Sequence, residues 1–146
     1  MRWRIVAVGK PRLAHAREGI DEYIARLRCF STVDVETVKA STAPREAEQL
    51  LARSKDCFRL VLDEKGKLFS SRAFADEVRK IELNPRKTCA IVIGGADGLT
   101  DEVRKSADLL WSLSPLTLQH EMALVFALEQ IYRAHTILTG IPYHRD

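Results

Sequence analysis

The chain has 146 residues, 46% hydrophobic and 29% charged, enough for one ordinary domain with a buried core and unlike a disordered segment. It contains no run of about 18 apolar residues, so nothing in it reads as a membrane-spanning helix. The net charge of +3 permits a nucleic-acid partner without demanding one. Cys29, Cys57 and Cys89 are odd in number and widely spaced, which argues against a disulfide framework or a zinc site and for a reducing cytoplasm.

The opening Met1-Arg2-Trp3-Arg4 is basic and then apolar, like the start of a secretory signal. The apolar stretch is too short for one, and no small-residue cleavage site follows. Residues 3–8 read instead as a strand rich in aromatic and β-branched side chains. Ile20, Tyr23, Ile24 and Leu27 recur at helical spacing and predict a helix over 17–27. Val33-Asp34-Val35-Glu36-Thr37-Val38 alternates apolar and polar, the pattern of a half-exposed strand at a sheet edge. Pro44 suits the first turn of a helix whose stripe is Ala47, Leu50 and Leu51. Residues 58–62 make a short strand ending in the polar turn Asp63-Glu64-Lys65-Gly66-Lys67.

Ser70 or Ser71 caps a helix that runs to about Leu83 and is stopped by Asn84-Pro85. Residues 89–93, Cys-Ala-Ile-Val-Ile, are apolar throughout, as the covered centre of a parallel sheet requires. Thr100 caps a short helix with Asp101 and Glu102 in its first turn. Residues 109–113 make a last strand, Pro115 interrupts the chain, and a long helix follows over about 120–139. Residues 140–146 form a non-helical tail. The alternation predicts a single α/β domain over 1–146, with a mostly parallel sheet of about five strands and flanking helices.

In such sheets ligands bind outside the carboxyl ends of the strands, here the loops 63–67, 94–98 and 114–119. Gly66, Gly94, Gly95 and Gly98, four of the 7 glycines, fall in the first two of these loops, where a ligand can approach the backbone closely. Gly94-Gly95-Ala96-Asp97-Gly98 has neither the dinucleotide nor the P-loop spacing, and Asp97 repels phosphate. A ligand with little or no phosphate is therefore expected. The stretch Leu113-Ser114-Pro115-Leu116-Thr117-Leu118 is apolar with hydroxyls and suits a flat ring such as adenine, held by main chain.

The long helix is apolar on nearly every side from Met122 to Leu128, which calls for cover from a second subunit. Glu129 and Arg133 stand four apart, as in an ordinary solvated ion pair. His135 shares a face with Ile131 and Leu138 and reads as a packed core histidine. The ending Tyr143-His144-Arg145 offers an aromatic surface, a general base and a cation, all useful against a nucleobase and its phosphate.

Four segments in order, Ile93-Gly94-Gly95-Ala96-Asp97-Gly98, Ser112 to Leu118, Glu129-Gln130-Ile131-Tyr132-Arg133-Ala134 and Pro142-Tyr143-His144-Arg145, resemble the RlmH family. These are SPOUT-class methyltransferases of pseudouridine in large-subunit ribosomal RNA. The likeness extends to the start Ile5-Val6-Ala7-Val8-Gly9 and the turn after Leu62. It implies a C-terminal trefoil knot, which general topology rules would not suggest. It also implies a homodimer with the methyl-donor site at the interface. S-adenosylmethionine would lie against Leu62, Gly94, Leu113, Ser114, Pro115, Leu116, Thr117 and Leu118, with no metal. The implied product is N3-methylpseudouridine in 23S rRNA of the assembled ribosome. His144 would serve as base, Tyr143 would stack on or hydrogen-bond to the nucleobase, and Arg133 and Arg145 would meet negative charge.

The alternatives are a SPOUT enzyme acting on tRNA and a non-catalytic nucleotide-binding module. Gln119 and Leu124 depart from the family pattern, which has a proline and an arginine there.

Overall fold

The computed structural model describes residues 1–146 as ten alternating elements. They are β1 (Arg2–Val8), α1 (Ala14–Leu27), β2 (Thr32–Val38), α2 (Ala43–Arg53), β3 (Phe58–Lys67), α3 (Ser71–Glu82), β4 (Thr88–Ile93), α4 (Asp101–Lys105), β5 (Leu109–Trp111) and α5 (His120–Thr139). The five strands form one sheet in the order β2-β1-β4-β3-β5, every neighbouring pair parallel. The single α/β domain expected from the alternation is the one observed, with the half-exposed β2 at an edge and the wholly apolar β4 at the centre.

Side chains alternate across the sheet and divide the core in two. Ile5, Leu60, Ile91 and Trp111 face a layer made by α1, α3 and α5. Val6, Val61, Ala90 and Val92 face α2 and α4 on the other side. Ser70 and Thr100 cap α3 and α4 by accepting from the N–H of Ala73 and Val103, as their sequence positions predict. His135 is buried in the larger layer, where its Nε2 accepts from the Trp3 indole N–H at 3.1 Å and its ring stacks on Phe30.

Three boundaries differ from the sequence reading. α1 begins at Ala14, a turn earlier than its apolar stripe, because the N–H groups of Arg12 and Leu13 are held by the buried carboxylate of Glu121 on α5. The polar run 63–67 is not a turn but the second half of β3. After an irregularity, Lys67 pairs with Trp111, and the N–H of Ser112 donates to the Lys67 carbonyl at 3.0 Å. Gly66 permits this crossing, since a Cβ there would lie 2.6–2.7 Å from the backbone of Trp111 and Leu110. β5 correspondingly stops at Trp111, two residues short of its expected end.

Candidate active site

The carboxyl ends of β3, β4 and β5 enclose a cavity of about 370 Å³. That is the ligand edge of an open parallel sheet. Leu62 and Ile93 line it from the strands, Gly94 to Gly98 form one wall, and Leu113, Ser114, Leu116, Thr117 and Leu118 form the other. Pro115, expected with them, is not part of the lining. Ser114 closes a small turn beside it, its hydroxyl accepting from the Leu116 N–H and its carbonyl from the Ser112 hydroxyl, both at 3.0 Å, and Pro115 stays exposed at the tip.

The glycine wall is tight. Gly98 has φ +78° and returns its N–H to the Gly95 carbonyl at 3.0 Å. A Cβ on Gly94 would stand 2.9 Å from the Leu99 side chain, so the wall closes on itself without room for a larger residue. The opposite wall offers apolar surface and spare polar groups. Leu116 is 72% exposed, unusual for a large apolar side chain, and the N–H groups of Leu113, Thr117 and Leu118 donate to nothing in the chain. Trp111, stacked on Phe74 at 4.0 Å, makes the floor rigid.

Charge in the cavity is predominantly acidic. Asp63, Glu64 and Asp97 line it together with Arg104 and His120. Arg104 is engaged by Asp63 at 2.8 Å and Asp101 at 2.9 Å, contacts that hold its guanidinium above its ordinary pKa. Glu64 accepts from the Thr117 hydroxyl at 3.1 Å and has no cationic partner. An apolar slot with free backbone donors and unpaired carboxylates fits a ligand that has a flat hydrogen-bonding ring and a positive charge.

The start of α5 is braced where the family pattern has proline. The Gln119 side chain accepts from the N–H groups of Glu121 and Met122 and donates to Glu121 Oε2 at 3.2 Å. Burial pushes the Glu121 carboxyl up, but the Leu13 and Arg12 N–H groups together with Gln119 outweigh it and hold it low. Leu124, where the pattern has arginine, is packed in the core, and Ala123 and His120 border the cavity instead.

Tyr143, His144 and Arg133 also converge, but elsewhere. Arg133 donates to Glu129 Oε1 at 2.7 Å and meets His144 Nδ1 at 3.1 Å. Tyr143 donates to the same Glu129 oxygen at 2.9 Å, so Tyr23 on α1, 3.1 Å away, donates to Tyr143. Burial, and then these contacts, raise the Tyr143 phenol far above its ordinary value. Asp146 closes the tail against Arg72 and His144, which pull its carboxyl down to about 2. The Glu129–Arg133 pair is thus a half-buried hub that orders the tail and not a simple solvated pair. Sequence spacing offers Glu129 as an ion-pair partner of Arg133 only; its second bond to Tyr143, and the parts played by Tyr23 and Asp146, come from the fold.

Residues 1–144 match the family described as predicted SPOUT methyltransferase. Over 145 residues the chain is 44% identical to ribosomal RNA large subunit methyltransferase H of a Thermus thermophilus strain, covering 99% of each chain. The chain belongs to the RlmH family of SPOUT methyltransferases. A second member, from Deinococcus radiodurans, is 43% identical over 145 residues, again with 99% of both chains covered. The fold of this SPOUT methyltransferase also resembles that of a probable methylase family protein from Haemophilus influenzae. There the TM-score is 0.62 at 14% identity, covering 99% of this chain and 70% of that one.

Along α5, the cavity borders His120 and Ala123 while the tail is tied at Glu129 and Arg133. At 1.5 Å per residue, His120 and Arg133 are about 20 Å apart along the helix axis. The cavity and the Tyr143–His144 cluster are therefore two separate places on one chain.

Proposed function

We propose that this protein transfers a methyl group from S-adenosylmethionine to N3 of a pseudouridine in large-subunit (23S) rRNA, on the assembled ribosome in the cytoplasm, working as a homodimer. The observation that carries the reading is the division just described: a cavity suited to a cationic, ring-bearing donor and a distant cluster suited to a nucleobase. Leu62, Gly94, Leu113, Ser114, Leu116, Thr117 and Leu118 would hold the donor, with Pro115 shaping the turn behind them. The unpaired Glu64 and Asp97 suit its positive charge. When bound, the donor supplies an electrophilic methyl group, so the protein's task is alignment and removal of one proton.

A second protomer joins the two places. Phe126 on α5 is 43% exposed, with Met122 and Val125 half-buried beside it, a face that a partner's helices would cover. Two chains packed across it bring one tail to the other's cavity. The knotted course of the C-terminal segment belongs to the same reading.

At the acceptor, His144 takes the N3 proton on Nδ1, the nitrogen that carries its lone pair while Nε2 faces Asp146. Arg133, freed from Nδ1, meets the negative charge that develops on the ring, Tyr143 supports the base, and Arg145 holds phosphate. Labelled S-adenosylmethionine incubated with 70S ribosomes, free rRNA and tRNA tests this, with the methyl group mapped. Label in large-subunit rRNA of ribosomes is expected. Label only in tRNA overturns the substrate, and absence of donor binding by calorimetry overturns the class.

A further inference from the structure

We propose that the carboxyl ends of β1 and β2 form a second binding surface, a basic track that holds the sugar–phosphate backbone of the RNA flanking the target nucleotide; this rests on the rRNA reading above. The two strands end in register, Val8 opposite Val38, with the Gly9 N–H donating to the Val38 carbonyl at 2.7 Å. Both then lead into exposed cations, Lys10 and Arg12 after β1 and Lys39 after β2. Beside them Lys39, Arg45 and Arg53 line an open groove of about 400 Å³ with Ser41 and Gln49. Glu48 is the only carboxylate in that lining.

Arg53 is partly neutralised by Glu36 at 3.2 Å. Lys10, Arg12, Lys39 and Arg45 face no carboxylate within 4.0 Å. Like charges gathered without partners raise the local potential and attract a polyanion. Two of the four are arginines, whose planar forks match phosphate oxygens.

The track adjoins the donor cavity on two sides. Glu46, next to Arg45, has Oε1 3.7 Å from where a Cβ on Gly95 would lie, and Gly95 is in the cavity wall. The backbone of Arg12 is bonded to Glu121, next to His120 in the same lining. Charge is thereby sorted: carboxylates inside the cavity for a cationic donor, free cations along its rim for RNA. Contacts to phosphate set position and register and carry no sequence information, which the nucleobase-facing tail would supply.

The test replaces all four exposed cations in the full-length protein, Lys10→Ala, Arg12→Ala, Lys39→Ala and Arg45→Ala, and follows methylation of 70S ribosomes against salt. Donor affinity and kcat should hold within about twofold. KM for ribosomes should rise about ten- to a hundredfold, and the log–log salt dependence should flatten by roughly 0.7–0.9 per lost phosphate contact. A control variant, Lys55→Ala with Lys87→Ala, removes unpaired cations preceding β3 and β4 and should leave KM unchanged. An unchanged KM and salt slope in the fourfold variant, with the wild type methylating ribosomes, overturns the track and leaves the function standing. A wild type that binds donor but methylates no RNA overturns the function instead. Photocross-links from positions 39 and 45 should fall on rRNA; links only to ribosomal protein also overturn the track.

Discussion

Arg133 and His144 are joined through Nη1 and Nδ1 at 3.1 Å, which makes Nδ1 the acceptor and so fixes the neutral tautomer of the ring. The proposed base is held ready to accept a proton but occupied by a cation until substrate arrives. His144→Ala should lower the single-turnover methylation rate by about 10²–10⁴-fold while donor affinity stays within twofold. A rate unchanged between pH 6 and 9 would remove His144 from the mechanism. Arg133→Lys keeps the charge but loses the fork that spans Glu129 and His144, and should cost at least about tenfold in the same assay.

Glu121 links α5 to the loop before α1 by accepting two backbone N–H groups. Glu121→Ala leaves both without a protein acceptor, and a loss of about 2–3 kcal/mol in urea unfolding is expected at neutral pH. Glu121 has its carboxyl held below the ordinary value, so its contribution is full above that value and lost as pH falls through the folded one. The gap between wild type and variant should narrow in acid.

His135 gives a separate pH dependence. Burial holds it at about 4, against 6.5 for the free side chain. Between those values the unfolded chain binds a proton that the folded one refuses. Stability therefore falls as pH drops from about 6.5 to about 4, by up to about 3 kcal/mol. Denaturation midpoints across that window should show the slope, and His135→Gln should flatten it.

Gly66 and Gly98 separate two reasons for glycine. A Cβ at Gly66 collides with backbone, whereas Gly98 has open space but φ +78°. Gly98→Ala should cost about 1–2 kcal/mol from conformation alone. Gly66→Ala forces β3 and β5 apart, and should cost more than about 3 kcal/mol or prevent folding. Thermal melts of both variants check the order.

Much of this arrangement is legible in the sequence because it is local. The apolar run of β4, the alternation of β2 and the capping serines and threonines each announce their element through backbone chemistry within a few residues. The second half of β3 does not, since Asp63-Glu64-Lys65-Gly66-Lys67 has turn composition and becomes a strand only through Trp111 and Ser112, more than 40 positions away. Nothing local marks Glu121, whose partners Arg12 and Leu13 lie in the loop before α1, more than 100 positions away. Glu129 reads as a surface ion pair until Tyr143 folds back on it. The strand order itself is a tertiary fact, set by which faces the helices cover.

Helix α5 acts as a ruler with an angular index. Its first turn borders the cavity, and Glu129 and Arg133 farther along anchor the tail. Removing one residue between them shifts the tail anchor by only about 1.5 Å but swings it through about 100° around the axis. The spacing from Ala123 to Glu129 is thus constrained in phase more strictly than in length. Insertions or deletions there are tolerated only in near-whole turns, and Leu124, Ala127 and Leu128, buried between the two ends, hold the same phase against the core.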